Sequence, residues 1–215
     1  MNTYPLFLVQ MDQVRCVVVG GGRVAARKVR ALRAADARVV VIAPELCRSL
    51  QTLREQDEIE VVERHYRSGD LKDAFLAIAA TDDEMINRRV WKEARQRGLL
   101  VNVVDEPERC NFIAPSVVRR GPLTLAISTS GRCPALSRHL RQHLERQFGP
   151  AYGVYVELLG ELRDEVVGVL SLDERRAFWE EVFGSGVLEL LVSGEEEKAR
   201  CRAQDILQRH LPGVA

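Results

Sequence analysis

Three consecutive glycines open the segment whose residue types point most directly to chemistry. Residues 20–25 fit the pattern G-x-G-x-x-A. In this pattern the first glycine makes a tight turn, the second lets the backbone approach a pyrophosphate, and the third small residue lets a helix pack close to a sheet. The N-terminus of that helix offers free N–H groups and a partial positive charge to phosphates. We therefore expect a dinucleotide phosphate site at Gly20, Gly21, Gly22, Arg23, Val24 and Ala25.

The residue that would bind the ribose of the dinucleotide is less clearly marked. An acidic residue about 20 residues beyond the glycines normally takes this role, and the acidic residue found there is Glu45, which follows Pro44. Glu45 either reaches the ribose or is an acidic residue of a first helical turn with no ligand role. No arginine stands at the strand end to pair with a 2′-phosphate, because Arg48 lies one turn further along. This pattern favours NAD over NADP.

Two further predicted strands end in polar residues that would face the same crevice, because the carboxyl ends of parallel strands meet at one edge of a sheet. Thr81 and the two aspartates after it match a helix N-cap followed by first-turn acids. Asn102 stands inside a strand, where it either satisfies a buried backbone group or contacts the nicotinamide side of the cofactor. Asp105 is either a turn-forming residue or a base that takes a proton while hydride leaves to NAD.

Hydrophobic periodicity predicts the elements that position these residues. Apolar runs predict strands over 14–19, 37–42, 59–62, 75–80 and 99–104, and helical spacing predicts helices from 24, over 46–54 and over 83–97. Nearly all-apolar strands that alternate with helices indicate a parallel sheet covered on both faces. A further short stretch, residues 6–9, is a candidate strand that would pair as a hairpin through residues 11–13.

The pattern changes after residue 113. Strand-like runs at 116–118 and 123–127 predict a β-hairpin, and Pro134 begins a predicted helix that ends at 147. Helical spacing then covers 154–170, 172–183 and 195–210, with a weaker stretch near Val187. We predict an α/β fold with a Rossmann parallel sheet over 1–113, a small α+β segment over 114–150 and an all-helical C-terminal domain over 151–215.

Composition excludes several classes of protein. Hydrophobic residues make up 46% of the chain and the formal net charge is zero, which gives no global attraction to nucleic acid or to an anionic membrane. No apolar run approaches the roughly 20 residues that cross a bilayer, and residues 1–10 do not resemble a signal peptide. The five cysteines lack CxxC spacing, which is typical of reduced thiols in a cytoplasmic protein. We expect no bound metal, and interpret His139 and His143 as a solvated helix pair.

Charge is unevenly distributed along the chain. Residues 114–150 contain six arginines and one acidic residue, a net charge of +5, whereas residues 151–215 carry a net charge of −6. The neutral total therefore hides a basic segment that is suited to an anionic ligand.

Several stretches together resemble one family over nearly the whole chain and in the same order. The chain resembles the precorrin-2 dehydrogenase and sirohydrochlorin ferrochelatase family, which also forms the N-terminal module of siroheme synthase. The stretches are Tyr4-Pro5-Leu6-Phe7, the glycine segment from Val18 to Ala25, Ala79-Ala80-Thr81-Asp82-Asp83 with Asn87, Val101-Asn102-Val103-Val104-Asp105, Phe112-Ile113-Ala114-Pro115-Ser116, Ala126-Ile127-Ser128-Thr129-Ser130-Gly131, Pro134-Ala135-Leu136 and Glu174-Arg175-Arg176-Ala177-Phe178-Trp179-Glu180.

The resemblance implies NAD-dependent oxidation of precorrin-2 to sirohydrochlorin and, in some members, insertion of a transiently bound ferrous or cobaltous ion. It implies a homodimer whose interface is the 114–150 segment, with the helical tail helping to enclose the tetrapyrrole. It makes Asp105 the catalytic residue. It also implies NAD contacts from Arg23, Val24, Pro44 and Glu45, which we extend to Thr81, Asn102 and Val103.

The resemblance gives the basic segment a physical reason, because precorrin-2 carries carboxylates around its macrocycle. Five arginines would attract and pair with these groups: Arg119, Arg120, Arg132, Arg138 and Arg141. Alternatively several of them, Arg141 above all, only solvate a helix face or a dimer rim. We predict substrate contacts from Pro115, Ser128, Thr129, Ser130 and Arg132.

Two other functions stay open at this stage. One is an NAD-sensing regulatory Rossmann protein without catalysis, because fold alone does not separate a sensor from an enzyme. The other is a dehydrogenase of a different small molecule, whose substrate domain should carry a well-placed His or Lys; none stands out. The 215 residues show no counterpart of the methyltransferase module of multifunctional members, so we do not expect this chain to make precorrin-2 from uroporphyrinogen.

Overall fold

The computed structural model describes residues 3–211. Two compact units make up the chain, Met1–Ala114 and Pro115–Ala215. The outer ends of the predicted first and last segments, residues 1–2 and 212–215, lie outside the described residues. No helix within residues 3–211 has the length and apolar character needed to span a membrane.

A five-stranded parallel sheet forms the centre of the first unit. Its strands are β1 (Arg15–Val19), β2 (Arg38–Ile42), β3 (Glu60–Val62), β4 (Leu76–Ala79) and β5 (Leu100–Val103), in the spatial order β3-β2-β1-β4-β5. Both neighbours of β1 run parallel to it, with Val18 opposite Val41 and Ile78. The middle strands are buried along almost their whole length, which explains their continuous apolar sequence. The predicted α/β class and parallel sheet are confirmed.

Three helices cover the two faces of this sheet. They are α1 (Arg23–Arg33), α2 (Arg48–Glu55) and α3 (Glu84–Gln96). One apolar layer joins α1 and α2 to side chains such as Val18, and the other joins α3 to the alternate side chains such as Val17. Gly98 follows α3 with a φ of +69°, the left-handed conformation that favours glycine just beyond a helix end.

The predicted N-terminal hairpin is wrong. Residues 6–9 form no strand, and Asp12 makes an isolated antiparallel bridge with Ala37 instead. The physical reason is the backbone on either side of Met11, because Gln10 and Gln13 have φ angles of +55° and +60° and interrupt the extended chain. Met11 itself is buried in the apolar layer that contains α1.

The second unit begins with an antiparallel hairpin and continues as helices. Its elements are β6 (Ser116–Arg120), β7 (Leu123–Ile127), α4 (Pro134–Gln147), α5 (Ala151–Val166), α6 (Leu172–Gly184), α7 (Val187–Val192) and α8 (Glu196–His210). The predicted hairpin and helical tail are confirmed. The helix α5 begins three residues before its predicted start. Gly153 in its first turn packs tightly against the hairpin, because a Cβ at Gly153 would stand 3.2 Å from the Arg120 carbonyl oxygen.

The apolar core of the second unit lies between the helices after Pro150. Phe178 is fully buried at its centre, together with Val166 and Ile206. The helices α4 and α5 both pack on the hairpin. The division of this unit at residue 150 stays a prediction.

Candidate active site

The carboxyl edge of the parallel sheet gathers most of the predicted site residues of the first unit. The loops after β1, β2, β4 and β5 all leave from this edge, because all five strands run in the same direction. Backbone hydrogen bonds join adjacent loops: the Gly20 N–H donates to Ile42 O (2.9 Å) and the Ala80 N–H donates to Val19 O (2.8 Å). The chain order reverses between β1 and β4, and such a switch point is where open α/β sheets bind ligands.

Gly20 makes the tight turn that the sequence pattern predicts. Its φ is +128°, and a Cβ at this position would stand 2.2 Å from the Ala80 carbonyl oxygen. Any other residue would therefore be strained and would also push the β4 loop away from the phosphate loop.

Gly21 has a structural role that the motif does not reveal, since it occupies a variable position of the pattern. A Cβ here would stand 1.8 Å from the Glu45 carbonyl oxygen, and the Cys47 N–H donates to Gly21 O (2.8 Å). The chain's own connection after β2 thus fills the space beside Gly21.

Gly22 leaves the space that a phosphate requires. It is the N-cap of α1, its backbone is extended, no side chain caps the helix, and no acidic residue stands in the first turn. Apart from Gly22 itself and its two chain neighbours, no described atom lies within 4 Å of the place that a Cβ would take. Ala25 is fully buried, so the helix packs close to the sheet as predicted. Open space, free N–H groups and a positive helix end together fit a dinucleotide phosphate.

Glu45 and Pro44 are exposed in the connection between β2 and α2. The interpretation of Glu45 as a first-turn helix acid is wrong, because α2 begins at Arg48 and its N-cap is Cys47. The helix starts late because the connection must first pass over Gly21. Contact of Glu45 with a ribose stays a prediction.

Thr81 is held inside a compact turn after β4. Its hydroxyl lies 2.9 Å from Asn87 Oδ1, and the Asn87 side-chain amide donates to Thr81 O (2.9 Å). An N-cap is found in this stretch as predicted, but it is Asp83, whose carboxylate accepts from the N–H groups of Met85 and Ile86; the acidic residue of the first turn is Glu84. A cofactor contact from Thr81 stays a prediction.

Asn102 satisfies a buried backbone group, one of the two roles expected for it. Its side-chain amide donates to Phe112 O (3.1 Å) from a position that is 9% exposed. Val103 is buried, and its N–H and C=O both face the Cys110 thiol. Cofactor contacts from Asn102 and Val103 stay predictions.

Asp105 is exposed in the turn that follows β5, with a φ of +61°. Within residues 3–211, no hydrogen bond or ion pair engages its carboxylate, which leaves both oxygens open to a ligand. Four aspartates in this range have a positive φ. Asp36, Asp57 and Asp73 precede strands, whereas Asp105 follows one. Asp105 therefore lies at the carboxyl edge of the sheet, as does the glycine cradle, the loop of residues 20–22 that leads into α1.

Lys28 is a charged neighbour of Asp105 that the sequence did not indicate. Burial on α1 lowers the pKa of Lys28, and the adjacent Arg27 lowers it further, whereas the Asp105 carboxylate acts in the opposite direction. The ammonium therefore lies in the electrostatic field of the Asp105 carboxylate. No motif could reveal this, because a lysine at this spacing is also typical of a solvated helix face.

The predicted substrate residues of the second unit form a turn before α4. Ser130 and Gly131 both have a positive φ. The Ser128 hydroxyl accepts from the Ser130 N–H (3.0 Å), and the Thr129 hydroxyl accepts from the Cys133 N–H (3.1 Å). Two further predicted residues, Pro115 and Arg132, are exposed. Substrate contacts from these residues stay predictions.

Two arginines of the basic segment have partners within the second unit. The Arg120 guanidinium donates to Phe148 O (2.8 Å), Glu145 O (2.9 Å) and Arg119 O (2.8 Å), and so ties the hairpin to the end of α4. Arg141 forms an ion pair with Glu145 one helical turn away. Arg132 and Arg138 are exposed. Within residues 3–211, no group of three His, Cys, Asp or Glu side chains is arranged to hold a metal ion.

The fold and the glycine cradle define a Rossmann-type dinucleotide-binding protein. Comparisons with known proteins identify the family within this class. Residues 7–116 match the family model described as "Putative NAD(P)-binding". Residues 120–147 match "Sirohaem biosynthesis protein central", and residues 151–207 match "Sirohaem synthase dimerisation region". The chain belongs to the siroheme synthase family.

Individual relatives agree with this assignment. The siroheme synthase of Thioalkalivibrio sulfidiphilus is 42% identical over 212 residues, which are 98% of this chain and 43% of the relative. That of Methylobacillus flagellatus is 42% identical over 96% of this chain and 44% of the relative. The chain thus spans less than half the length of these relatives. A solved structure described as "SirC, precorrin-2 dehydrogenase" shares the fold, with a TM-score of 0.73 and 23% identity over 97% of this chain and 98% of that one.

Proposed function

We propose that this chain oxidises precorrin-2 to sirohydrochlorin with NAD, in siroheme biosynthesis. One observation carries the proposal: an exposed and unpaired carboxylate, Asp105, lies at the same sheet edge as a glycine cradle that fits a dinucleotide phosphate. The family assignment supports the siroheme pathway, and the name of the structural relative supports precorrin-2 as the substrate and its dehydrogenation as the reaction.

The residues that would hold NAD belong to the loops at the carboxyl edge of the sheet. The free N–H groups at Gly22, Arg23 and Val24 bind the pyrophosphate, and the exposed Pro44–Glu45 connection borders the ribose. When bound, NAD supplies the hydride acceptor. Asn102 keeps the strand beneath the nicotinamide side in place through its bond to Phe112 O.

The proposed chemistry removes two hydrogens from the tetrapyrrole. The Asp105 carboxylate would take one of them as a proton and pass it to solvent from its exposed position, and bound NAD would accept the other as hydride. Formation of a carbon–carbon double bond balances the loss of both. The ammonium of Lys28 lies in the electrostatic field of this carboxylate.

Side chains of the second unit are proposed to bind the carboxylates of the substrate. Exposed arginines such as Arg132 and Arg138 provide charge-assisted hydrogen bonds, and the turn formed by Ser128, Thr129 and Ser130 provides hydroxyls. The match to a dimerisation region supports a homodimer as the working form.

Metal insertion is a second activity to assay at the same carboxylate. An unpaired carboxylate beside a macrocycle can also take the protons that leave a tetrapyrrole when a metal enters. The metal would be a substrate, supplied as ferrous or cobaltous ion with sirohydrochlorin. Insertion that depends on Asp105 would support a bifunctional enzyme.

Anaerobic mixing of the purified chain with precorrin-2 and NAD tests the proposal. We expect NADH and sirohydrochlorin, each measured by its absorbance, to form in equal amounts. We expect little reaction when NADP replaces NAD. Binding of NAD measured by calorimetry in the same preparation separates the alternative. A chain that binds NAD but never turns over precorrin-2 would be a nucleotide sensor.

A further inference from the structure

The loop that carries Asp105 is closed by side chains that cover an open sheet edge. β5 is an edge strand of the sheet, and an uncovered edge leaves backbone N–H and C=O groups without partners. The returning segment 110–112 supplies these partners in place of a sixth strand. Asn111 Oδ1 accepts from the Val101 N–H (2.7 Å), and the Asn111 side-chain amide donates to Leu99 O (2.8 Å).

Cys110 contacts both ends of the turn, which a backbone hydrogen bond from the Glu106 N–H to Val103 O (3.3 Å) also spans. Its Sγ accepts from the Val103 N–H (3.3 Å) and the Asn102 side-chain amide (3.4 Å). The same Sγ lies 3.3 Å from both Val103 O and Glu106 O, to which the thiol donates. The thiol thus bridges the last residue of β5 and the residue directly after Asp105. Between these contacts the chain has room only for a tight turn, and there Asp105 takes its positive φ.

We propose that Cys110 is a positioning residue, whose thiol fixes the left-handed turn that presents the Asp105 carboxylate at the carboxyl edge of the sheet. The expected effect of Cys110 on kcat rests on the proposed function. The expected effect on the turn rests on the hydrogen bonds alone. The thiol does not react, and no covalent step is involved.

The chemistry of a half-buried thiol suits this role. The contacts require one small group that donates and accepts at once, which a thiol does. Burial raises the pKa of Cys110, although the Val103 N–H and the charge of Lys28 oppose the rise, so the S–H proton is retained at neutral pH. A serine hydroxyl has the same donor and acceptor capacity on a shorter bond, so C110S should restore part of the function that C110A loses.

The test compares C110A, C110S and D105N, with C201A as a matched control because Cys201 is an exposed cysteine. C110A should lower kcat for precorrin-2 oxidation about tenfold, as expected for a misplaced catalytic group, while the KM for NAD is unchanged. C110S should recover part of the loss. Adding C110A to D105N should cause no further loss, because both changes then act on the same group.

Hydrogen exchange keeps the proposal testable if precorrin-2 proves not to be the substrate. The Val103 and Glu106 amides should exchange faster in C110A than in the parent chain or C201A, while amides of β1 stay protected. Failure of turnover in the parent chain would contradict the proposed function only. Unchanged exchange in C110A would overturn the positioning role, as would a full additional loss of kcat in the double variant.

Discussion

At the scale of single residues, glycines with similar roles in the motif face different constraints in the structure. Gly20 is constrained by its φ of +128° and by the Ala80 carbonyl oxygen, whereas Gly22 has ordinary extended backbone and open space around its Cα. Stability should therefore depend on the first position and ligand binding on the second.

We predict that Gly20→Ala lowers the free energy of unfolding by about 2–4 kcal/mol, because the methyl group meets backbone and the conformation is strained. Gly22→Ala should change stability by less than about 1 kcal/mol but weaken NAD binding, since the methyl group enters the space meant for a phosphate. Denaturant unfolding and calorimetric titration measure the two effects. Equal effects of both substitutions on stability would contradict this division.

Asp105 was selected from the sequence because it follows a predicted strand. The structure adds a comparison with other aspartates that the sequence alone does not contain. Three other aspartates share the left-handed conformation but lie at the amino edge of the sheet. The roles of Lys28 and Cys110 near Asp105 were not predicted, because they depend on contacts between elements that are distant in sequence. Gly21 escaped prediction because the residue that it must avoid, Glu45, lies in the next connection along the chain.

At the scale of elements, strongly apolar strands and well-capped helices were predictable to within a few residues. The helix α4 begins and ends where proline and helical spacing placed it. The N-terminal hairpin failed because two non-glycine residues adopt a positive φ, which composition does not signal. The start of α2 shifted because packing against Gly21 overrides local helix preference.

A buried carboxylate, Glu93, joins α3 to the connection before β4. It accepts from the Tyr66 hydroxyl (2.5 Å), the Gly69 N–H (2.9 Å) and Arg97 Nε (2.8 Å) while it is only 8% exposed. Burial alone would raise the pKa of Glu93, but these hydrogen bonds outweigh it and hold the pKa below the ordinary value of 4.5. The ionised form therefore stabilises the fold.

We predict that Glu93→Gln lowers the free energy of unfolding by about 2 kcal/mol at pH 7, because charge-assisted bonds are replaced by weaker ones. A depressed folded-state pKa contributes stability above pH 4.5 that disappears as the pH falls through the folded value. Unfolding of both proteins across this range should show their difference shrinking toward acid pH. A difference that grows on acidification would contradict the assignment.

At the scale of the whole molecule, a neutral chain contains a basic segment and an acidic helical tail. The basic segment also exposes apolar side chains on α4, with Leu136 and Leu140 45% and 38% exposed. They lie one helical turn apart within the segment expected to form the dimer interface.

We predict that the chain is a dimer at micromolar concentration and that Leu136→Arg with Leu140→Arg converts it to a folded monomer, because two buried charges would then face each other across the interface. Sedimentation velocity and far-UV circular dichroism report the two properties. Met85→Arg is the control, since Met85 is 68% exposed and lies outside both this segment and the 151–207 stretch that matches a dimerisation region. A monomeric parent chain, or a double variant that stays dimeric, would rule out this interface.

The most direct test of the central claim compares two aspartates that share a conformation and differ in their edge of the sheet. D105N and D36N each replace an exposed aspartate of positive φ with asparagine, which tolerates the same backbone. In the anaerobic assay with precorrin-2 and NAD, D105N should lose at least about a hundredfold in kcat, the contribution of a positioned base, and still bind NAD. D36N should match the parent chain. Full turnover in D105N, or equal losses in both variants, would contradict the assignment of Asp105 as the catalytic base.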